Sequence, residues 1–111
     1  MQVEFLEEGE RLVARPQGRM EAADGDSFAA AVEQQLKAAT KAVTIDLDQL
    51  EFVNFGGIRA ILRLARSLKD NQKNLDFVRG GETVRDALDQ AGLDDFFPFT
   101  PPYISNRGTV K

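Results

Sequence analysis

The sequence of 111 residues contains no cysteine and no histidine. Without cysteine the chain can form no disulfide, no thiolate nucleophile and no cysteine-based metal site. Without histidine it lacks the commonest general base near neutral pH and the commonest metal ligand. Any catalysis would rest on carboxylates, lysines or hydroxyl groups, and we expect neither a metal nor a cofactor.

Long apolar runs are absent as well. No segment approaches the roughly 20 apolar residues that a membrane span needs, and the N-terminal MQVEFLEEGE is acidic and lacks the apolar core of a signal peptide. We therefore expect a cytoplasmic protein that does not insert into a membrane. The formal net charge of -4 argues against nucleic-acid binding, since that affinity comes largely from cationic contacts to phosphates. A protein partner is the expectation that remains.

Apolar patterning predicts the first half of the fold. QVEFLEE and RLVARP alternate on either side of Gly9 and predict a β-hairpin. Asp26 or Ser27 can cap a first helix. Its apolar residues recur at helical spacing: Phe28, Val32, Leu36 and Ala39. In KAVTIDLDQLEFVN the run from Val43 to Leu47 has no consistent polar alternation, which is typical of a central strand buried on both faces.

Helical periodicity follows Gly57. The expected buried stripe of this second helix consists of Ile58, Ile61, Leu62, Ala65 and Leu68. Another face carries Arg59, Arg63 and Arg66. LDFVR predicts a further strand, and GGETVRDALDQAG a third helix capped by Gly92. The order β-β-α-β-α-β-α indicates an α/β fold with one sheet and helices on at least one of its faces.

The chain length suits one domain with one core, which we place at residues 1–100. Past Pro101 and Pro102 the sequence loses its apolar pattern. Residues 101–111 are therefore expected to form a flexible C-terminal tail.

Three pieces of the sequence occur in the order typical of one known family. VTIDLDQL resembles a buried strand that ends in Asp-Leu-x-x-Leu, and FVNFGG resembles a loop of the form Phe-[Ile/Val]-Asp-Ser-[Ser/Gly]-Gly. VRDALDQAGLDDFFPF resembles the family's late helix and turn, and Gly18, Met20 and Glu21 resemble its entry into the first helix. Over residues 3–99 the chain resembles the STAS domain family, in particular its anti-sigma factor antagonists.

This resemblance implies an STAS-type mixed sheet of about four to five strands with helices packed mainly on one face. It implies a non-enzymatic protein that docks on an ATPase-type anti-sigma factor, through the loop and the helix behind it. In this sequence the corresponding residues are Asn54, Phe55, Gly56, Gly57, Arg59, Arg63 and Arg66. In the family the partner is also a serine kinase, and phosphorylation of a loop Ser adds about -1.5 to -2 charges, which prevents docking.

The loop departs from the family pattern at its phosphorylated position. Alignment on Phe52 and Gly57 places Asn54 at the family's Asp, Phe55 at its first Ser and Gly56 at the usual phosphate acceptor. No hydroxyl group lies between Phe52 and Gly57. The nearest hydroxyl groups belong to Thr44 and Ser67. We therefore expect an antagonist whose loop cannot be phosphorylated.

Each of these residues also has a purely structural explanation. Gly56 and Gly57 suit a tight turn, because glycine reaches positive φ without steric cost, or they let a partner backbone come close. Phe55 is either part of the core or an exposed anchor for a partner. The three arginines are either a solvated helix face or a surface that steers an acidic partner. The Gly-Gly pair lacks the spacing of nucleotide-binding loops.

Other functions stay open. Some STAS proteins are accessory subunits of lipid-exporting ABC transporters and carry Gly-Gly in the same loop, so a transporter ATPase is the alternative partner. Those members usually keep Asp-Thr before it, which is absent here. Asp46 and Asp48 are similar to the Asp-x-Asp of phosphotransferases, but no suitable hydroxyl follows, which favours a solvated strand end over a small enzyme. A homodimer also stays open.

Overall fold

Five strands and three helices follow one another along residues 1–92, the part of the chain that the computed structural model describes. They are β1 (Gln2–Glu8), β2 (Arg11–Met20), α1 (Ala22–Gln35), β3 (Ala42–Asp46), β4 (Leu50–Val53), α2 (Phe55–Asp70), β5 (Asn74–Val78) and α3 (Glu82–Gln90). The predicted boundary between a domain at residues 1–100 and a tail at residues 101–111 lies outside the described residues.

The strands form one mixed sheet with the order β1-β2-β3-β5, and β4 pairs with the far end of β2. The predicted hairpin is present: β1 and β2 pair antiparallel, and Gly9 turns the chain at a φ of 64°. β2 runs parallel to β3 and β4, and β3 runs parallel to β5. Parallel neighbours require crossover connections, and the helices provide them. The α/β prediction with a mixed sheet is confirmed.

The predicted strand KAVTIDLDQLEFVN is two strands, β3 and β4. Residues 47–49 separate them and form a turn. The Leu47 N–H donates to the Val78 carbonyl at 3.0 Å, and the Leu50 N–H donates back to the Leu47 carbonyl at 3.1 Å. β2 shifts its register between Gly18 and Arg19, so that its first half pairs with β3 and its end with β4. β3 lies between β2 and β5, in the interior position that its apolar run predicts.

Helix α1 begins earlier than predicted, at Ala22 instead of near Asp26 or Ser27. The Asp24 carboxylate accepts a hydrogen bond from the Glu21 N–H at 3.0 Å, which satisfies a donor at the start of the helix. The helix ends at Gln35, before the predicted positions Leu36 and Ala39. Of the residues expected in the apolar stripe, Phe28 and Val32 are therefore the two that α1 buries. Gly25 of this helix is buried as well.

The helices pack mainly on one face of the sheet, where the core lies. Residues of all three helices contribute to it, including Phe28 of α1, Leu68 of α2 and Leu88 of α3. The prediction that Leu62 is buried is wrong: this side chain is only partly buried, whereas Leu64 is 1% exposed. The reason is that α1 packs against the side of α2 that carries Leu64, so the buried stripe is wider on that side.

Candidate functional site

Asn54 caps helix α2 and fixes the loop that precedes it. Its side-chain oxygen accepts a hydrogen bond from the Gly57 N–H at 2.8 Å, and the Asn54 carbonyl accepts from the Ile58 N–H at 2.9 Å. A side chain that accepts from a free N–H in the first turn stabilises a helix start. Asn54 thus performs the capping that an Asp would perform, without adding a negative charge.

Phe55 is the first residue of α2, and its side chain is 72% exposed. The explanation that places it in the core is therefore wrong. The guanidinium carbon of Arg59, one turn further along, lies 5.6 Å from the centroid of the Phe55 ring. This distance is within the range of a cation–π contact. The site therefore presents an exposed aromatic ring with a cation beside it.

Gly56 and Gly57 are glycines because the chain's own atoms occupy the space around them. A Cβ on Gly56 would lie 2.6 Å from the Cβ of Ala22, and a Cβ on Gly57 would lie 2.7 Å from the Met20 carbonyl oxygen. Neither glycine has a positive φ. The tight-turn explanation is therefore replaced by one of packing: Gly56 lets the start of α2 approach the start of α1, and Gly57 lets it approach the end of β2.

The three arginines of α2 are all exposed, but they have different surroundings. Arg59 lies by the Phe55 ring. The Arg63 guanidinium forms an ion pair with Asp26 of α1, in which both side chains are 62% exposed. Arg66 lies one turn beyond Arg63. Only part of the predicted arginine surface is therefore adjacent to the loop, and one member is already paired.

A second pairing of an arginine with an aromatic ring lies beside the loop, and it was not predicted from the sequence. Arg19 of β2 and Phe52 of β4 are partners in the sheet, and the Arg19 guanidinium carbon lies 4.1 Å from the ring centroid. Arg19 also lies 3.8 Å from a carboxylate oxygen of Glu21. No local pattern could reveal this contact, because strand pairing brings the two residues together from distant positions.

Asp46 is buried and paired, so the predicted solvated strand end is wrong for this residue. Its side chain is 3% exposed and accepts hydrogen bonds from the Arg15 Nε at 3.1 Å and from the Arg79 guanidinium. Burial by itself would raise the pKa of Asp46, but the hydrogen bonds from Arg79, the Asp48 N–H and Arg15 outweigh it and hold the pKa below its ordinary value. A carboxylate held this way by two cations is poorly suited to accept a proton in catalysis.

The two hydroxyl groups nearest to the loop in sequence are both engaged elsewhere. Thr44 is 7% exposed, and its hydroxyl donates to Asp76 at 2.7 Å. The Ser67 hydroxyl donates to Glu33 at 3.0 Å. Ser67 lies 11 residues beyond Gly56, which is about 16 Å along a helix. Neither hydroxyl group lies in the loop.

Among the helices of residues 1–92, none combines the length and the hydropathy that a membrane span requires. The same residues contain no group of three or more carboxylates placed to hold a metal ion.

A family model described as STAS domain matches residues 2–104 of the chain. The proposed anti-sigma factor antagonist BtrV of Bordetella bronchiseptica is 26% identical over 87 residues, which are 78% of this chain and 75% of BtrV. The fold is similar to the crystal structure of an anti-sigma factor antagonist from Mycobacterium paratuberculosis, with a TM-score of 0.78 and 20% identity over 90% of this chain and 85% of that one. It is also similar to the unphosphorylated form of SpoIIAA of Bacillus, with a TM-score of 0.72 and 16% identity over 91% of this chain and 90% of that one.

Proposed function

This chain belongs to the STAS domain family, and on that premise we propose that it is a non-catalytic regulator of the anti-sigma factor antagonist kind. It acts in the cytoplasm by binding an ATPase-type anti-sigma factor. We call the proposed contact surface the docking face; it consists of Asn54, Phe55, Gly56, Gly57, Arg59, Arg63 and Arg66. The observation that carries the proposal is the exposure of Phe55 at the start of a helix that is firmly capped.

Phe55 is suited to be the anchor of such a contact. Burying a phenylalanine side chain contributes about 1.5 to 3 kcal/mol, and aromatic anchors carry much of the energy of protein interfaces. The ring projects from a helix start that Asn54 caps through the Gly57 N–H, so the backbone beneath it is already ordered. A preordered anchor loses little conformational entropy when a partner covers it.

The charges around Phe55 favour an acidic partner surface. The first turn of α2 contains no acidic residue, and a helix N-terminus carries about half a positive charge. Arg59 adds a cation next to the ring. A partner that presents a carboxylate beside an apolar pocket would therefore complement this end of the docking face.

We also propose that the loop is not a phosphorylation switch. Positions 55 and 56 carry no hydroxyl group, and a side chain at position 56 would collide with Ala22. The position that accepts phosphate in the family is thus blocked by packing as well as by residue type. The protein stays competent to bind its partner when ATP is present.

Intact-mass spectrometry after incubation with a kinase-type anti-sigma factor and ATP tests this proposal. We expect a stable complex and no phosphate on the wild-type chain. The matched variant combines Asn54→Asp, Phe55→Ser and Gly56→Ser with Ala22→Gly, which removes the closest clash. This variant should gain phosphate in the loop, and its phosphorylated form should bind more weakly than its unphosphorylated form, because the phosphate adds charge at the contact. The comparison is made within the variant, since Phe55→Ser by itself removes the proposed anchor.

Three results would contradict the proposal. Phosphate on wild-type Ser67 or Thr44 would show that the switch has moved. A restored variant that binds the partner but is never phosphorylated would point to a partner that is not a kinase. Recovery of a transporter ATPase from cell lysate would favour the alternative of an accessory transporter subunit, which the relatives named above do not favour.

A further inference from the structure

A shallow trough lies along the junction of helices α1 and α2 on the surface of the protein. It has a volume of about 260 Å³. Its lining residues are Asp26, Ala29, Ala30 and Glu33 of α1 with Arg63 and Leu64 of α2. The accessible apolar floor consists of Ala29 and Ala30, and the buried side chain of Leu64 lies beneath it. We call this feature the α1–α2 trough.

The two ends of the trough differ in charge. At one end Asp26 is neutralised by its ion pair with Arg63. At the other end the Glu33 carboxylate accepts a hydrogen bond from the Ser67 hydroxyl, which is a neutral donor. Among the ion pairs of residues 1–92, none neutralises Glu33. The trough therefore combines an apolar floor with one uncompensated negative charge at its end.

We propose that the α1–α2 trough receives a basic side chain, Lys or Arg, from a protein partner. Such side chains have an apolar stem and a charged head, and they bury the stem while the head stays near water or a carboxylate. The stem would lie over Ala29 and Ala30, and the head would pair with Glu33. An acidic or purely apolar side chain would leave one part of the trough without a complementary contact.

The inference rests on the proposed function only in taking the partner to be a protein. The trough is continuous with the docking face, since Arg63 belongs to both. Ser67, which holds Glu33, is eight residues beyond Arg59, or about 12 Å along the helix. A single partner would therefore present an acidic group opposite Arg59 and a basic group about 12 Å away. This charge order fixes the direction in which a partner lies along α2.

Binding of a small probe tests the trough without any knowledge of the partner. The probe is n-pentylammonium chloride, which reproduces the Cα and the four-carbon ammonium side chain of lysine, and 1-pentanol is its neutral control. Backbone N–H signals of the full chain are followed by NMR during titration at low salt. We expect saturable shifts at Ala29, Ala30 and Leu64 with the ammonium probe. We expect weaker binding, by about two- to fivefold, in Glu33→Gln, which keeps the acceptor for Ser67 but removes the charge.

Two further variants control this experiment. Glu8→Gln removes the same charge from an exposed position on β1 and should leave the titration unchanged. Ala30→Leu fills the trough from an exposed position and should abolish the shifts, while the circular dichroism spectrum stays the same. The proposal is overturned if wild type shows no saturable shift, if 1-pentanol binds as well, or if Glu8→Gln weakens binding as much as Glu33→Gln. None of these results depends on Phe55, so the proposed function can fail or hold separately.

Discussion

A side-chain carbon on Gly56 would lie 2.6 Å from the Cβ of Ala22, closer than two such atoms approach in proteins. Ala22 is the first residue of α1, and Gly56 is the second residue of α2. The contact therefore joins the starts of the two helices. It means that any residue with a side-chain carbon at position 56 requires an adjustment in α1.

Replacement of Gly56 by Ala should destabilise the protein by about 1 to 3 kcal/mol through overpacking against Ala22. Ala22→Gly should recover part of this loss in the double variant, because it removes the closest atom but leaves the Ala22 Cα at 3.0 Å. Urea denaturation of the wild type, the two single variants and the double variant measures how far the effect of one substitution depends on the other. Gly81→Ala is the control: its φ is -73° and no atom lies within 4 Å of the added carbon, so it should change little. Strictly additive changes at positions 22 and 56 would contradict the assigned contact.

Replacement of Phe55 by Ala should weaken partner binding by about 2 kcal/mol, since it removes the proposed anchor. The free energy of unfolding should change by less than about 1 kcal/mol, because the side chain is 72% exposed. Calorimetric titration and urea denaturation give the two values. Phe28→Ala, at a core position that is 1% exposed, should instead lower the free energy of unfolding by about 3 to 5 kcal/mol. Unchanged binding by the Phe55 variant would remove the anchor from the docking face.

The ion pair between Arg63 and Asp26 allows binding and stability to be separated. Arg63→Ala and Asp26→Ala both break the pair and should each reduce stability by at most about 1 kcal/mol, since the pair is exposed. Their effects on partner binding should differ. Arg63→Ala should weaken partner binding and slow association. Asp26→Ala leaves the Arg63 cation available and should preserve partner binding. If the two variants bind equally weakly, Arg63 acts only by holding α1 against α2.

Leu64→Ala should destabilise the protein by about 2 to 5 kcal/mol, because it opens a cavity where the side chain is 1% exposed. Leu62→Ala makes the same chemical change at a partly buried position and should have a clearly smaller effect. Thermal and urea unfolding of both variants compare them directly. The reverse order would mean that the orientation of α2 against the sheet is wrong.

Asp46 should make stability depend on pH in the acid range. Its pKa in the folded protein is lowered from the ordinary value of 3.8, so its contribution is complete above that value and is lost as pH falls through the folded pKa. Asp46→Asn should cost about 1 to 3 kcal/mol at pH 7, because Arg15 and Arg79 lose a charged acceptor. The difference in the free energy of unfolding between this variant and wild type should shrink below about pH 4. Asp48→Asn, at the exposed neighbour, is the control, and a constant difference down to pH about 2 would contradict the assignment.

Features that depend on neighbours in sequence could be predicted. The hairpin around Gly9, the buried run of β3 and most of the apolar stripe of α2 all follow from periods of two or 3.6 residues. The family motifs likewise lie in short continuous stretches, and they identified the STAS fold. These patterns predict the structure because a helix or strand that is buried on one face carries apolar residues at the fixed spacing of that face.

The tertiary structure decided what depends on contacts between distant parts of the chain. Asp46 is buried because Arg15 and Arg79 reach it from β2 and from the end of β5, 31 and 33 residues away. Gly56 is confined by Ala22, and Leu64 replaces Leu62 in the core because α1 packs on that side of α2. The local sequence around each residue is compatible with exposure or burial. Only the packing of elements that are far apart in sequence fixes which surfaces are covered, and therefore which residues are left to meet a partner.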